Sequence, residues 1–256
     1  MDVPCGHCIP CRVAHSREWA TRIVHEAQYW PHNSFTTLTY DEDQVPKDGG
    51  LVPDDLTKFF KRMRKAGFNL KYFACGEYGE KYGRPHYHSL LFGVGIMDYQ
   101  KVQDTWGHGS VDMGTLSYDS ARYCADYILK RYNGPLGKKI YGHHLAPFQR
   151  SSAGIGLRYC MDHAEEIKRD LSIKLRGHEV GIPRYYKLKL GIDADDLLSK
   201  RLANDRETFA YYTETLGRTY DDLRYYKLDL KDALDQNERN IVASTMIKRA
   251  KKNSYL

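Results

Sequence analysis

Two histidines two residues apart raise the first chemical question. They stand in Gly83-Arg-Pro-His-Tyr-His-Ser-Leu-Leu-Phe92, where His86 and His88 flank one aromatic residue before the chain turns apolar. Alternate residues of a β-strand point to the same side, so the spacing sets two imidazoles side by side. Two nitrogens are too few to hold a cation. Glu77, on the preceding strand pattern and on the same side of it as Phe73 and Cys75, is one candidate third ligand; Glu80, in the connecting loop, is the other. Two histidines and a carboxylate with open positions suit Mg²⁺ or Mn²⁺, or a transition metal. On its own, His-x-His is more often a pair of half-exposed residues on a sheet.

A second set lies downstream. In Ser120-Ala-Arg-Tyr-Cys-Ala-Asp-Tyr-Ile-Leu-Lys130, Tyr123, Tyr127 and Lys130 stand at i, i+4 and i+7. On an α-helix these share one stripe. A phenol with a pKa near ~10 is a poor nucleophile unless a neighbouring cation activates it; Lys130 or a bound metal can do so. A third set opens the chain: Cys5, Cys8 and Cys11 in CGHCIPC form two consecutive Cys-x-x-Cys spacings. They can offer three thiolates to a structural Zn²⁺, with His7, His15, Cys75, Cys160 or no residue as the fourth ligand. The bland alternative is three free thiols.

The elements that must position these groups follow from periodicity. Residues 11–29 carry an apolar stripe through Ala14, Trp19, Ile23 and Ala27 and read as a helix. Ser34–Tyr40 is β-branched and aromatic and reads as a strand, with Thr37 and Thr39 as sheet supports rather than site residues. Pro53-Asp-Asp starts a second helix, with Leu56, Phe59, Phe60 and Met63 on one face and five cations over the rest, either solvated or phosphate-facing. Residues 71–77 and 86–92 read as two strands, Val111–Met113 as a short further one. Ser120 serves as the expected N-cap of a helix to about Tyr132. Residues 138–160, weak in periodicity, read as loop, and His108 as structural. Beyond a soft boundary near 160 the segments are charged and helical, ending in the basic IKRAKK. The pattern predicts an α+β domain with a mainly antiparallel sheet at residues 1–160 and a mostly helical extension at 161–256.

Composition bounds the rest. The 256 residues are 41% hydrophobic with a mean hydropathy of −0.65, and no apolar run approaches the ~20 residues of a membrane span. The first residues lack the apolar core of a signal peptide, so a cytoplasmic protein without membrane contact is expected. A net charge of +6 leans toward anionic partners. The 21 tyrosines, against 8 Phe and 3 Trp, can stack on bases as well as rim a core. No G-x-x-x-x-G-K-[ST] occurs, since LGKKI lacks both the spacing and the Ser/Thr, so an ATP-driven helicase is not expected.

Taken in order, FTTLTY (35–40), RPHYH (84–88) and YCADYILK (123–130) resemble the three motifs of the HUH endonucleases that start rolling-circle replication. The doubled tyrosine is similar to that of initiators from small circular single-stranded DNA phages. The wider wording, CGHCIPCR, SREWA, SFTTLTY, FFKRMRK, YFACGEYGEKYGRPHYH and IPRYY, looks most like the initiators of gokushoviruses, within the microvirus family; the likeness is dense from residue 5 to about 186. It implies that His86, His88 and Glu77 hold Mg²⁺ or Mn²⁺ on a scissile phosphate. Tyr123 or Tyr127 would then form a 5′-phosphotyrosine link at the origin, in single-stranded and replicative-form DNA, with Lys130 stabilising phosphate or phenolate. It also implies a host helicase and polymerase as partners in the cytoplasm of a bacterial host. A transposase or plasmid relaxase of the same superfamily, and a zinc-containing nucleic-acid-binding protein without catalysis, are the competing readings.

Overall fold

Alternating residues build the centre of the domain. In the computed structural model, β1 (Asn33–Thr39), β2 (Lys71–Tyr78), β3 (Pro85–Phe92), β4 (Val111–Thr115) and β5 (Phe148–Ser151) pair antiparallel in the order β4-β1-β3-β2-β5. The structure describes residues 5–216, leaving out 7, 80–82 and 131–133. The chain divides into two units, one running to Tyr159 and one beginning at Cys160.

Both faces of the sheet are covered. On one face Leu38, Ala74, Tyr87 and Leu91 meet α2 (Pro53–Lys65) and α3 (Tyr99–Trp106) through Leu56, Phe59, Phe60, Met63, Val102 and Trp106. On the other, Phe73, Cys75, Leu90 and Phe92 meet α1 (Ile9–Ala27) and α4 (Tyr118–Lys130) through Ala20, Ile23, Ala121, Cys124 and Ala125. The apolar face expected of α2 is the one buried. Its cations therefore lie on the side of the sheet away from the histidines, and Arg62 donates to the carbonyls of Thr105 and Trp106 at 2.6 and 2.7 Å.

The aromatic residue between the two histidines holds α2 to the sheet. Tyr87 is fully buried; its hydroxyl donates to the Val52 carbonyl at 2.9 Å and accepts from the Val52 N–H at 2.9 Å, beside the Tyr40 hydroxyl at 2.9 Å. Tyr40 in turn donates to Asp55 at 2.8 Å, in the first turn of α2. Gly76 leaves room on this same face, where a Cβ would sit 2.7 Å from the Phe148 ring.

Three sequence expectations need correction. Residues 138–160 are not a loop: α5 (Gly134–Tyr141), β5 and α6 (Leu157–Asp162) occupy much of them, and β5 forms by pairing with β2 rather than from its own short pattern. Ser120 is not the N-cap of α4. It lies in the first turn and accepts the Ser117 N–H at 2.8 Å, while Ser117 Oγ accepts the Ser120 N–H at 3.1 Å, a reciprocal cap with serine in place of glutamate. The first helix starts at Ile9 and ends at Ala27, two residues earlier than expected at each end.

In the second unit, α7 (Ala164–Asp170), α8 (Arg184–Leu190) and α9 (Ala194–Leu216) accompany a hairpin of β6 (Ile173–Leu175) and β7 (His178–Val180). The hairpin turns on Arg176 and Gly177, at φ 53° and 80°, the left-handed pair a two-residue turn requires. IKRAKK lies outside the described residues. Among the described residues no helix is long and apolar enough to cross a membrane.

Replacing Tyr87 with Phe strips the Val52 N–H and carbonyl of their buried partner. Chemical denaturation should show a loss of about 1–3 kcal/mol; an unchanged midpoint would mean that α2 is held by its apolar face alone.

Candidate metal centre and tyrosine pair

Register brings the histidines and the acid together. β3 pairs Glu77 of β2 with His86 and Cys75 with His88, while Thr37 and Thr39 of β1 pair with His88 and His86 from the other side. Glu77, His86, His88 and Thr37 thus share the sheet face covered by α1 and α4. Glu77 Oε1 lies 2.9 Å from His86 Nε2 and 3.4 Å from His88 Nε2, and the three residues bring donor atoms within 4.8 Å of one another. Glu77 and His88 are buried, and His86 is partly so. The rival acid, Glu80, lies outside the described residues.

The outer nitrogens decide what the inner ones can do. His86 Nδ1 is 3.2 Å from the Arg84 carbonyl, which only accepts, so Nδ1 carries a hydrogen. Its Nε2 then faces a carboxylate oxygen at 2.9 Å, and a lone pair there would be repelled unless a proton or a cation lies between. His88 Nδ1 is 3.0 Å from Thr37 Oγ1. Metal-bound histidines are oriented in this way, by a carbonyl or hydroxyl on the second nitrogen. The donor set therefore fits a divalent cation held by Glu77, His86 and His88.

Thr37 is the functional neighbour that sequence reading assigns to the sheet. The signal was present: Thr37 shares its strand face with Phe35, and β1 carries the motif that precedes the histidines. Only the register shows that its hydroxyl ends on His88.

Helix α4 lays its tyrosines over His88. Tyr127 is 2% exposed, stacks on His88 at 5.0 Å between ring centroids, and holds its hydroxyl 3.0 Å from His88 Nε2. Burial, with the negative charge of Glu77 and the neighbouring Tyr123 adding to it, pushes the Tyr127 phenol far above its ordinary pKa. Tyr123 is 48% exposed, edge-on to His88 at 5.5 Å and to Tyr127 at 5.0 Å. The two phenols are therefore unlike: one is held beneath the site, the other stands at its mouth. Lys130 closes α4, and its side chain lies outside the described residues.

Helix α4 is braced by α1. Ser16 donates to Asp126, which also accepts from Arg122 at 2.9 Å. The buried Glu26 of α1 binds Lys71 of β2 at 2.9 Å and accepts from Trp30 and the Gly156 N–H at 2.9 and 2.8 Å. Of the other residues singled out in the sequence, Cys75 is buried with its sulfur 3.6 Å from Cys124. His15 accepts from Trp19 at 3.2 Å, His108 packs on Trp106 at 5.0 Å, and His7 lies outside the described residues.

Thr37→Val keeps the side-chain shape and removes the hydroxyl. Calorimetric titration with Mn²⁺ should show affinity weakened by about 10-fold to 100-fold, with Thr37→Ser close to the parent; equal affinity in all three would deny Thr37 its orienting role.

Comparison with known proteins agrees with this geometry. Residues 33–132 match the family model for the replication-associated protein ORF2, a span that runs from β1 past α4 and leaves out Cys5, Cys8 and Cys11. The chain is 36% identical over 211 residues to replication-associated protein ORF2 of Spiroplasma virus 4, covering 72% of this chain and 64% of that protein. It is 33% identical over 215 residues to replication-associated protein VP4 of Bdellovibrio phage phiMH2K, covering 72% of this chain and 66% of the relative. The chain thus spans just under two thirds of the length of these curated relatives. No solved structure matches it. The chain is a relative of the phage replication-associated proteins, with the domain of the ORF2 family over residues 33–132.

Proposed function

We propose that the chain initiates DNA replication by nicking and rejoining one strand at an origin through a tyrosine. The observation that carries this reading is convergence: Glu77, His86 and His88 form one cluster, and two tyrosines of one helix lie against His88 from the same side of the sheet. Phosphoryl transfer needs a positioned nucleophile and positive charge beside the phosphate oxygens. Mg²⁺ or Mn²⁺, held by Glu77, His86 and His88, would offset charge on those oxygens.

Tyr123, the exposed phenol, is assigned the first attack. Its oxygen bonds to the scissile phosphorus and the bond to the 3′ oxygen breaks. The phenol releases a proton and the leaving oxygen takes one up. The products are a 5′-phosphotyrosine and a free 3′-OH that a host polymerase can extend. Tyr127, one helical turn away, is assigned the second cleavage when the origin is regenerated, and Lys130 the stabilisation of phosphate or phenolate. Unwinding is assigned to a host helicase. The relatives' description as replication-associated proteins and the net charge of +6 support DNA as the substrate.

Incubation with origin-containing single-stranded DNA and Mn²⁺ should yield a protein–DNA adduct that survives denaturation and is absent from Tyr123→Phe/Tyr127→Phe. An undiminished adduct in that double variant would remove both tyrosines from the reaction. His86→Ala or His88→Ala should lower nicking roughly 100-fold or more, the scale of losing a transition-state stabiliser, while single-stranded DNA binding persists. Parallel loss of binding and cleavage would make the pair a fold element.

A further inference from the structure

The three N-terminal cysteines lie ahead of the matched family region and take no part in the proposed cleavage. Their sulfurs nonetheless converge. The Sγ atoms of Cys5, Cys8 and Cys11 lie within 4.8 Å of one another, and those of Cys5 and Cys11 are 3.9 Å apart. The backbone accounts for this. Gly6, at φ 74°, turns the chain back after Cys5, and the Cys8 N–H donates to Cys5 Sγ at 3.3 Å. Cys8 is the N-cap of α1, and the Arg12 N–H donates to the Cys8 carbonyl at 3.1 Å, so the first helical turn brings Cys11 back beside Cys8.

Spacing selects the ion. With metal–sulfur bonds of about 2.3 Å, a tetrahedral thiolate site sets neighbouring sulfurs about 3.8 Å apart; Cys5 and Cys11 already stand 3.9 Å apart. An iron–sulfur cluster binds its thiolates through separate irons and needs them wider. A disulfide, at about 2.0 Å between sulfurs, would pair two of the three and strand the last.

The helix end asks for the same charge. No side chain caps the N-terminus of α1, and its first turn carries no acid. Thiolates gathered there supply the negative charge that the exposed N–H groups and the helix dipole favour.

We propose that Cys5, Cys8 and Cys11 form a structural site for a tetrahedral, thiophilic divalent cation of the Zn²⁺ class, its fourth position filled from outside the trio. The site fastens residues 5–8 to the start of α1, the helix that braces α4 through Ser16 and Asp126. It is independent of the nicking reading, and either can fail alone.

The test uses the full chain in a His86→Ala/His88→Ala background, which removes the candidate metal centre on the sheet. Protein purified without chelators should carry stoichiometric zinc by elemental mass spectrometry, and none above background after Cys5→Ser/Cys8→Ser/Cys11→Ser. Co²⁺ added to the reduced, metal-stripped protein should give a thiolate-to-cobalt charge-transfer band with the intense visible bands of a tetrahedral ion. Undiminished zinc in the folded triple variant, iron in place of zinc, or cobalt without the charge-transfer band would each overturn the site. Should the triple variant fail to fold, the cobalt titration still decides, because it reads the native cysteines.

Discussion

The antiparallel pairing of β2 with β3 is the constraint on which everything else rests. Glu77 opposite His86 and Cys75 opposite His88 set the acid and both imidazoles on one face. The same register turns Tyr87 to the opposite face, where it bonds Val52 and holds α2. A slip of one residue would exchange the two sets and bury imidazoles among Phe59, Phe60 and Trp106. The two histidines and the tyrosine between them are thus one device: polar chemistry projects to one side and the anchor to the other.

A sheet presents its residues on a nearly flat surface, and the depth of the site comes from the helices above it. Helix α4 supplies both tyrosines and is itself fixed by α1, whose own anchorage includes the buried and fully engaged Glu26. Buried charge of this kind is tolerated because Lys71 and two N–H donors meet it. The result is a graded approach to His88, with Tyr123 open to solvent and Tyr127 enclosed. An exposed phenol can meet a large substrate without rearrangement of the core. An enclosed one, held to His88, stays protonated until its surroundings change.

Much of this was legible in the sequence, for identifiable reasons. The period-two spacing of His86 and His88 and of Cys75 and Glu77 survives folding because strand geometry is local. The stripe of Tyr123 and Tyr127 survives because helix geometry is local too. What escaped depends on contacts between distant segments. Thr37 meets His88 only through the pairing of β1 with β3, 51 positions apart in the chain. The short β5 forms because β2 offers it an edge, and the unlike exposure of the two tyrosines follows from how α4 sits on the sheet. Serines 117 and 120 cap each other, a pattern that a search for serine followed by glutamate passes over.

The most direct measurement is identification of the peptide left on DNA after cleavage. An origin oligonucleotide cut in the presence of Mn²⁺, digested with trypsin and sequenced by mass spectrometry, should carry its 5′ phosphate on Tyr123. Covalent attachment outside α4, or cleavage that leaves no peptide on the DNA, would contradict the assignment of this site.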